Sequence, residues 1–277
     1  MRIPVKAAVL HGINAILSPL EALMNRGARE SILGRHPPVF IVGPPRSGST
    51  LLYQMMVDAF DVAYLSNLHC AFYRVPSIVE RMIGTRVRRN KIRFVSDFGK
   101  TRGYHGPSEC GRFWYRYLPR FPHALTPELV SAAAIGSIRE AIAGLTSASG
   151  KSVVFKNLVI SVRIPVIAQS LPEAIFVRVD RDFSEIKRSI LRARDQIQGA
   201  ESWFSVRPSN YTELAKLSTR DEQVTGQVAS IYDEIARAFT ELPVDRTAIV
   251  RYTSLRDTPA PELARLRERL SQLGAEV

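Results

Sequence analysis

Residues 39–52 read VFIVGPPRSGSTLL, and no other stretch restricts the fold of this chain so tightly. Four apolar residues without polar alternation read as a strand buried on both faces, the habit of parallel sheets covered by helices. The glycines at 43 and 48 then predict a tight loop that opens into a helix at Gly48. Backbone N–H groups and the positive end of the helix dipole converge in such a loop, so it attracts an anion, phosphate above all. Arg46 adds a guanidinium fork, and Ser47, Ser49 and Thr50 add hydroxyls. Pro44 and Pro45 stiffen the approach by fixing φ. The usual nucleotide-hydrolase loop is G-x4-G-K-[ST], whose lysine reaches the β- and γ-phosphates. Here Ser49 fills the lysine position and the cation lies inside the loop as Arg46. That arrangement suits a nucleotide with no γ-phosphoryl group to transfer.

Four further apolar runs read as strands: Val62–Leu65, Val153–Phe155, Ile175–Val179 and Ala248–Tyr252. Helical patterns separate them over Leu51–Phe60, Pro127–Leu145, Ile164–Leu171, Ser184–Arg194, Asp221–Thr240 and Pro261–Leu273. The alternation predicts an α/β fold: a P-loop-type parallel sheet of about five strands flanked by helices, with its ligand site at the carboxyl ends of the strands. With 277 residues, 45% of them hydrophobic, and no Gly/Ser- or Pro-rich linker, one large domain over 37–277 is expected. Residues 1–36 form a separate N-terminal amphipathic helical segment in this reading. The stretch 74–120 has helical pieces but no clear strand, and reads as a basic insertion covering the site.

A second anion motif follows downstream. In IFVRVDRDFSEIKRSIL, residues 175–191, a strand ends at Val179, Asp180-Arg181-Asp182 turns the chain and a helix begins near Phe183. Asp182 with Glu185 predicts an Asp form of the capping box. Arg181 lies in the turn and Ser189 about two helical turns further on.

PVFIVGPPRSGSTLL resembles the 5′-phosphosulfate-binding loop of sulfotransferases that use 3′-phosphoadenosine 5′-phosphosulfate (PAPS). The likeness is to the bacterial and membrane-associated branches, which carry arginine where cytosolic enzymes carry lysine. The resemblance implies a second site for the 3′-phosphate, and the spacing of Arg181 and Ser189 matches that motif. It also implies that Lys156, in VVFKN, faces the transferring sulfuryl group. SWFSVRP (202–208) resembles a Trp-containing segment of the bacterial enzymes. Arg251-Tyr252-Thr253-Ser254-Leu255 resembles the family's Tyr-Glu-x-Leu strand end, with Thr253 in place of glutamate. The histidine that cytosolic relatives carry two residues after the lysine is Leu158 here. The general base must therefore come from elsewhere. Glu109 is the first candidate: GPSECGRFWYRYLP resembles the Pro-x-Glu-Asp-Glu-Phe stretch of the membrane-associated branch, although Cys110-Gly111-Arg112 departs from it. His69 and His105 are reserves. The expected catalytic set is thus Glu109, Lys156 and Arg46. The donor-binding set is Arg46, Ser47, Gly48, Ser49, Thr50, Arg181 and Ser189. Sulfuryl transfer is an in-line displacement that works by positioning and charge stabilisation, and neither an HExxH motif nor a carboxylate cluster calls for a metal.

Charge points to the acceptor. Of the net +12, the segment from Arg74 to Arg120 carries +9, with Glu80, Asp97 and Glu109 its only acids. Such a field draws an anionic partner, and a glycan, lipid or small-molecule acceptor is expected. Cys70 and Cys110, 40 residues apart in no CxxC pattern, read as ordinary half-buried thiols of a reducing compartment. Val5, Val9, Gly12, Ile13, Ile16, Leu17 and Leu20 recur at helical spacing, which predicts either a helix packed on the domain or one lying on a membrane surface through residues 5–20. The expected location is cytoplasmic, peripheral at the membrane in the latter case. Two rival functions fit less of the sequence. One is a P-loop kinase or ATPase with Asp180 or Asp182 as magnesium ligand. The other, a nucleic-acid binder with Phe94, Phe98 and Tyr104 as stacking groups on the basic face, is the least expected, since no nucleic-acid fold motif is present.

Overall fold

The computed structural model describes residues 5–26, 30–88, 94, 96–97, 100–198 and 202–277. Its strands are β1 (Val39–Val42), β2 (Ala63–Tyr64), β3 (Ser96–Asp97), β4 (Lys100–Thr101), β5 (Val153–Lys156), β6 (Ile175–Asp180) and β7 (Thr247–Arg251). All five expected runs enter one sheet of order β2-β5-β1-β6-β7, and every pairing within it is parallel. The chain leaves the central strand β1 toward β2 and β5, then crosses to β6 and β7 on the other side. The crevice outside the carboxyl end of β1 is therefore the switch point at which such sheets bind ligands.

Period-two alternation divides the core. Phe40, Val42, Phe155 and Phe176 point to one face, where they meet the helices Ala132–Ser149, Ile164–Ser170 and Arg220–Glu241. Val39, Ile41, Val154, Ile175 and Val177 point to the other, against the helices Ser49–Ala59 and Pro259–Gln272. Register sets Phe40 beside Phe155 on β5 and Phe176 on β6. The three rings stack at centroid distances of 5.1 and 5.6 Å, behind the residues that carry the site.

Two local expectations change. Pro127–Leu145 is not one helix: Pro127–Leu129 is a 3-10 turn, and Ser131 caps the helix Ala132–Ser149 by accepting the Ala134 N–H at 3.2 Å. The basic insertion contains strands after all, the antiparallel pair β3–β4, too short at two residues each to show an alternating pattern. It contributes the helix Pro76–Arg88 as well, which packs on the helix Ala132–Ser149.

The helix Val5–Arg26, for which packing on the domain and lying on a membrane surface both stayed open, docks through its polar side. Asn14, Glu21 and Asn25 are buried, while Val9, Ile16 and Leu20 of the expected apolar stripe are exposed. Asn14 donates to the Ala71 carbonyl and accepts from the Arg74 N–H, both at 2.9 Å. Glu21 accepts the Ser77 and Ile78 N–H groups at 2.8 and 3.0 Å, serving the orphan donors at the start of the helix Pro76–Arg88.

Candidate active site

The glycine loop follows β1 as the sequence requires. Gly48 stands before the helix Ser49–Ala59 with φ +100°, a left-handed conformation that glycine adopts without strain. A side chain could not fit there: a Cβ on Gly48 would lie 2.3 Å from Cδ2 of Tyr252. The loop is also held from behind. The Gly43 N–H donates to Ser161 Oγ, and that hydroxyl donates back to the Gly43 carbonyl, both at 3.0 Å. Ser47 is buried, and its Oγ has no hydrogen-bond partner among the described residues. A loop in which a buried hydroxyl lacks an acceptor is fitted for an anionic oxygen.

The two anion motifs meet. Arg46, itself left-handed at φ 68°, donates from Nε to Ser189 Oγ at 2.9 Å. Arg181 donates from Nη1 to the Arg46 carbonyl, also at 2.9 Å, and its guanidinium lies over the Tyr252 ring at 4.1 Å. Burial and then the nearby Arg181 charge lower the pKa of Arg46. Two guanidinium groups gathered at one helix N-terminus form a site that an anion stabilises. Asp182 caps the helix Phe183–Ala193 by accepting the Glu185 N–H, but only half of the expected capping box forms. The Glu185 carboxylate turns instead to Arg181 Nε at 2.9 Å and steadies that arginine. Thr50 and Ser49 occupy the first turn of the helix after the loop, where their N–H groups are unsatisfied by the helix itself.

Lys156 ends β5 with its side chain 2% exposed, and its Nζ is ion-paired and hydrogen-bonded to Glu109 Oε1. Glu109 thus arrives from the insertion, 47 residues away in sequence, beside Lys156. Asn157 Nδ2 also donates to the Glu109 carbonyl at 3.1 Å. His69 is committed elsewhere: its Nδ1 accepts the Ser66 N–H at 3.2 Å, and its Nε2 faces Glu80 at 3.3 Å. His105 offers its carbonyl to the Tyr64 hydroxyl at 2.9 Å. The rival magnesium ligands are engaged too, Asp180 with Arg178 at 2.7 Å and Asp182 as the helix cap. Among the described residues, no group of three His, Cys, Asp or Glu is arranged to hold a metal ion. Phe94 and Tyr104 are exposed, and Phe98 lies outside the described residues.

Sequence reading missed Ser161 and the support that Tyr252 gives Gly48. It also missed that Cys70 and Cys110, both free, are hydrogen-bonded neighbours beside Glu109. The Cys110 thiol hydrogen bond lowers Cys70 to about 6, with Ser108 and Arg112 helping and burial opposing. The same contact and burial push Cys110 up. A cavity of about 780 Å³, bordered by Phe121, Leu125, Ser161, Arg207 and Tyr211, lies beside the site rather than in it. None of Arg46, Glu109, Lys156, Arg181 or Ser189 lines it.

Among solved structures, the chain is similar to sulfotransferase STF9 of Mycobacterium avium, with 17% identity and a TM-score of 0.58 over 87% of this chain. It spans 66% of that protein's chain. It is similar also to sulfotransferase STF1 of Mycobacterium tuberculosis H37Rv, with 13% identity and a TM-score of 0.52 over 93% of this chain and 74% of that one. At these identities the likeness is one of fold. No curated protein matches the chain in sequence. The sulfotransferase family itself matches residues 37–272. That span takes in the glycine loop, Lys156 and the second anion motif, and the chain belongs to the sulfotransferase family.

Proposed function

We propose that the chain transfers a sulfuryl group from PAPS to a hydroxyl or amine of a glycan, lipid or small-molecule acceptor. One observation carries this reading: Arg46 reaches Ser189 while Arg181, 135 residues away, holds the Arg46 carbonyl, and this adjacency of the two stretches supports a shared donor site. Arg46, Ser47, Gly48, Ser49 and Thr50 would hold the 5′ end of the nucleotide, and Arg181 with Ser189 its 3′-phosphate. The donor supplies an activated sulfuryl group. Arg46, Lys156 and the helix N-terminus stabilise negative charge on the oxygens around the sulfur and on the departing phosphate. Glu109, held against Lys156 Nζ, accepts the proton of the attacking hydroxyl at its carboxylate. The surplus of cations in the insertion that delivers Glu109 supports an acidic or lipid-borne acceptor.

Thermal unfolding with adenosine 3′,5′-bisphosphate (PAP), ADP and Mg-ATP tests this. At one hundred times its dissociation constant, a specific ligand stabilises by about 2.7 kcal/mol, a Tm rise of roughly 5–10 °C for a chain of this size. The expected result is a rise with PAP alone, lost in Arg46→Ala and Arg181→Ala. No PAP shift, or equal shifts in both variants, would refute the reading. Glu109→Gln is expected to keep the PAP shift and lose sulfuryl transfer from PAPS to phenolic and sugar acceptors. Transfer at the wild-type rate removes Glu109 from its role.

A further inference from the structure

The helix Val5–Arg26 has an amphipathic sequence docked the opposite way from a globular surface helix. At about 100° per residue, Asn14, Glu21 and Asn25 fall within an arc of roughly 40°. They are 0%, 2% and 8% exposed and lock the helix to residues 71–78 through the hydrogen bonds of Asn14 and Glu21. Val9, Ile16, Leu20 and Leu23 fall within an arc of roughly 60° on the opposite side. They are 55%, 77%, 49% and 67% exposed. On the neighbouring helix Pro76–Arg88, Met82 is 73% exposed. A row of large aliphatic side chains held outward by buried polar anchors is not an accident of a loosely placed terminus.

We propose that this face docks the protein on the surface of an anionic lipid bilayer. Charge selects that occupant. Arg26, at the end of the apolar row, is exposed, and so is Arg81 beside Met82. From Arg81 to the end of its helix at Arg88 the sequence holds three arginines and no acid. Aliphatic residues that reach the acyl boundary, flanked by cations at headgroup level, are what an interfacial helix requires. A second copy is the poorer fit. A two-fold contact through this face would gather the exposed Arg26 and Arg81 of two copies in one interface. No helix among the described residues is long and apolar enough to cross a membrane, so the contact is a surface one. The docking stands independently of sulfuryl transfer.

The test is co-sedimentation of the full chain with vesicles of phosphatidylcholine alone and of phosphatidylcholine mixed with phosphatidylglycerol. Wild type should pellet with the mixed vesicles and far less with the neutral ones. Ile16→Gln combined with Leu20→Gln and Leu23→Gln should weaken that binding at least tenfold at an unchanged Tm, since the replaced side chains are exposed. Amide hydrogen exchange of the wild-type chain provides a second measurement that needs no variant. Mixed vesicles should protect residues 9–23 and leave the helix Arg220–Glu241 unchanged. Failure of wild type to pellet, equal pelleting of the triple variant, or no protection over 9–23 overturns the proposal. So does a wild-type dimer in analytical ultracentrifugation that the triple variant abolishes, which would make a second copy the occupant.

Discussion

Replacing Gly48 by alanine separates two costs at the glycine loop. The first is conformational. With φ at +100°, an L-residue there is strained by about 1–2 kcal/mol, a loss of stability that no repacking of neighbours relieves. The second is steric. The new Cβ would meet Tyr252 at 2.3 Å from Cδ2 and 2.7 Å from Cε2, against an ordinary carbon separation of about 3.5–4.0 Å. The ring must recede by more than about 1 Å on that scale. Arg181 lies over this ring at 4.1 Å, so the displacement reaches the arginine proposed to hold the 3′-phosphate. Gly48→Ala should therefore weaken PAP binding about tenfold, equivalent to ~1.4 kcal/mol, besides lowering Tm. Isothermal titration of PAP into Gly48→Ala, Tyr252→Ala and the double variant measures the coupling. The double variant should lose less affinity than the sum of the singles, by about 0.5–3 kcal/mol, while the stability loss at Gly48 persists. Wild-type PAP affinity in Gly48→Ala, or strictly additive losses, would refute the link through Tyr252.

Two further outcomes follow from perturbed groups. Burial, then the charges of Arg163, Arg207 and Arg120, lower His123 to about 4 from an ordinary 6.5. Between those values the unfolded chain binds the proton and the folded chain does not, so stability falls as pH drops from about 6.5 to about 4. The loss is on the order of 1–2 kcal/mol once solvent screening of this partly open group is allowed for, and His123→Gln should flatten it in a pH series of urea melts. Second, Cys70 should be alkylated by iodoacetamide far ahead of Cys110, with a rate that rises around pH 6. Cys110→Ala should move that rise toward higher pH; an unmoved profile would mean that Cys110 does not set the Cys70 thiolate.

The sheet was legible because its strands are covered on both faces, and a short uninterrupted apolar run such as Val39–Val42, closed by a glycine turn, suits little besides a doubly covered strand. The strand–turn–helix form of both candidate anion motifs was legible because it is a local pattern. Contacts between distant segments were not. Ser161 clasps Gly43 across 118 residues, and a lone serine in a 3-10 turn carries no periodic signal. Cys70 and Cys110 meet only because the insertion folds back, as the bridge between Ser66 and Pro107 records. The N-terminal helix left two readings open for a physical reason. A periodic apolar stripe does not say which face will dock, and here Glu21 serves two unsatisfied N–H groups, so the polar side turned inward.

The clasp at Ser161 has a mechanical consequence. The turn Leu158–Val162 follows Lys156 within two residues, and its serine binds both polar groups of Gly43. The glycine loop and the lysine therefore move together as a fixed jaw, braced from below by the stacked rings of Phe40, Phe155 and Phe176. Glu109 belongs to the opposing jaw, which grips through the Lys156 ion pair and the Asn157 hydrogen bond. Its backbone is fixed as well, since the Ser108 N–H donates to the Leu65 carbonyl at 2.7 Å and Trp114 packs on Phe40 and Phe155, so the Glu109 carboxylate and not the segment behind it is what can part from Lys156.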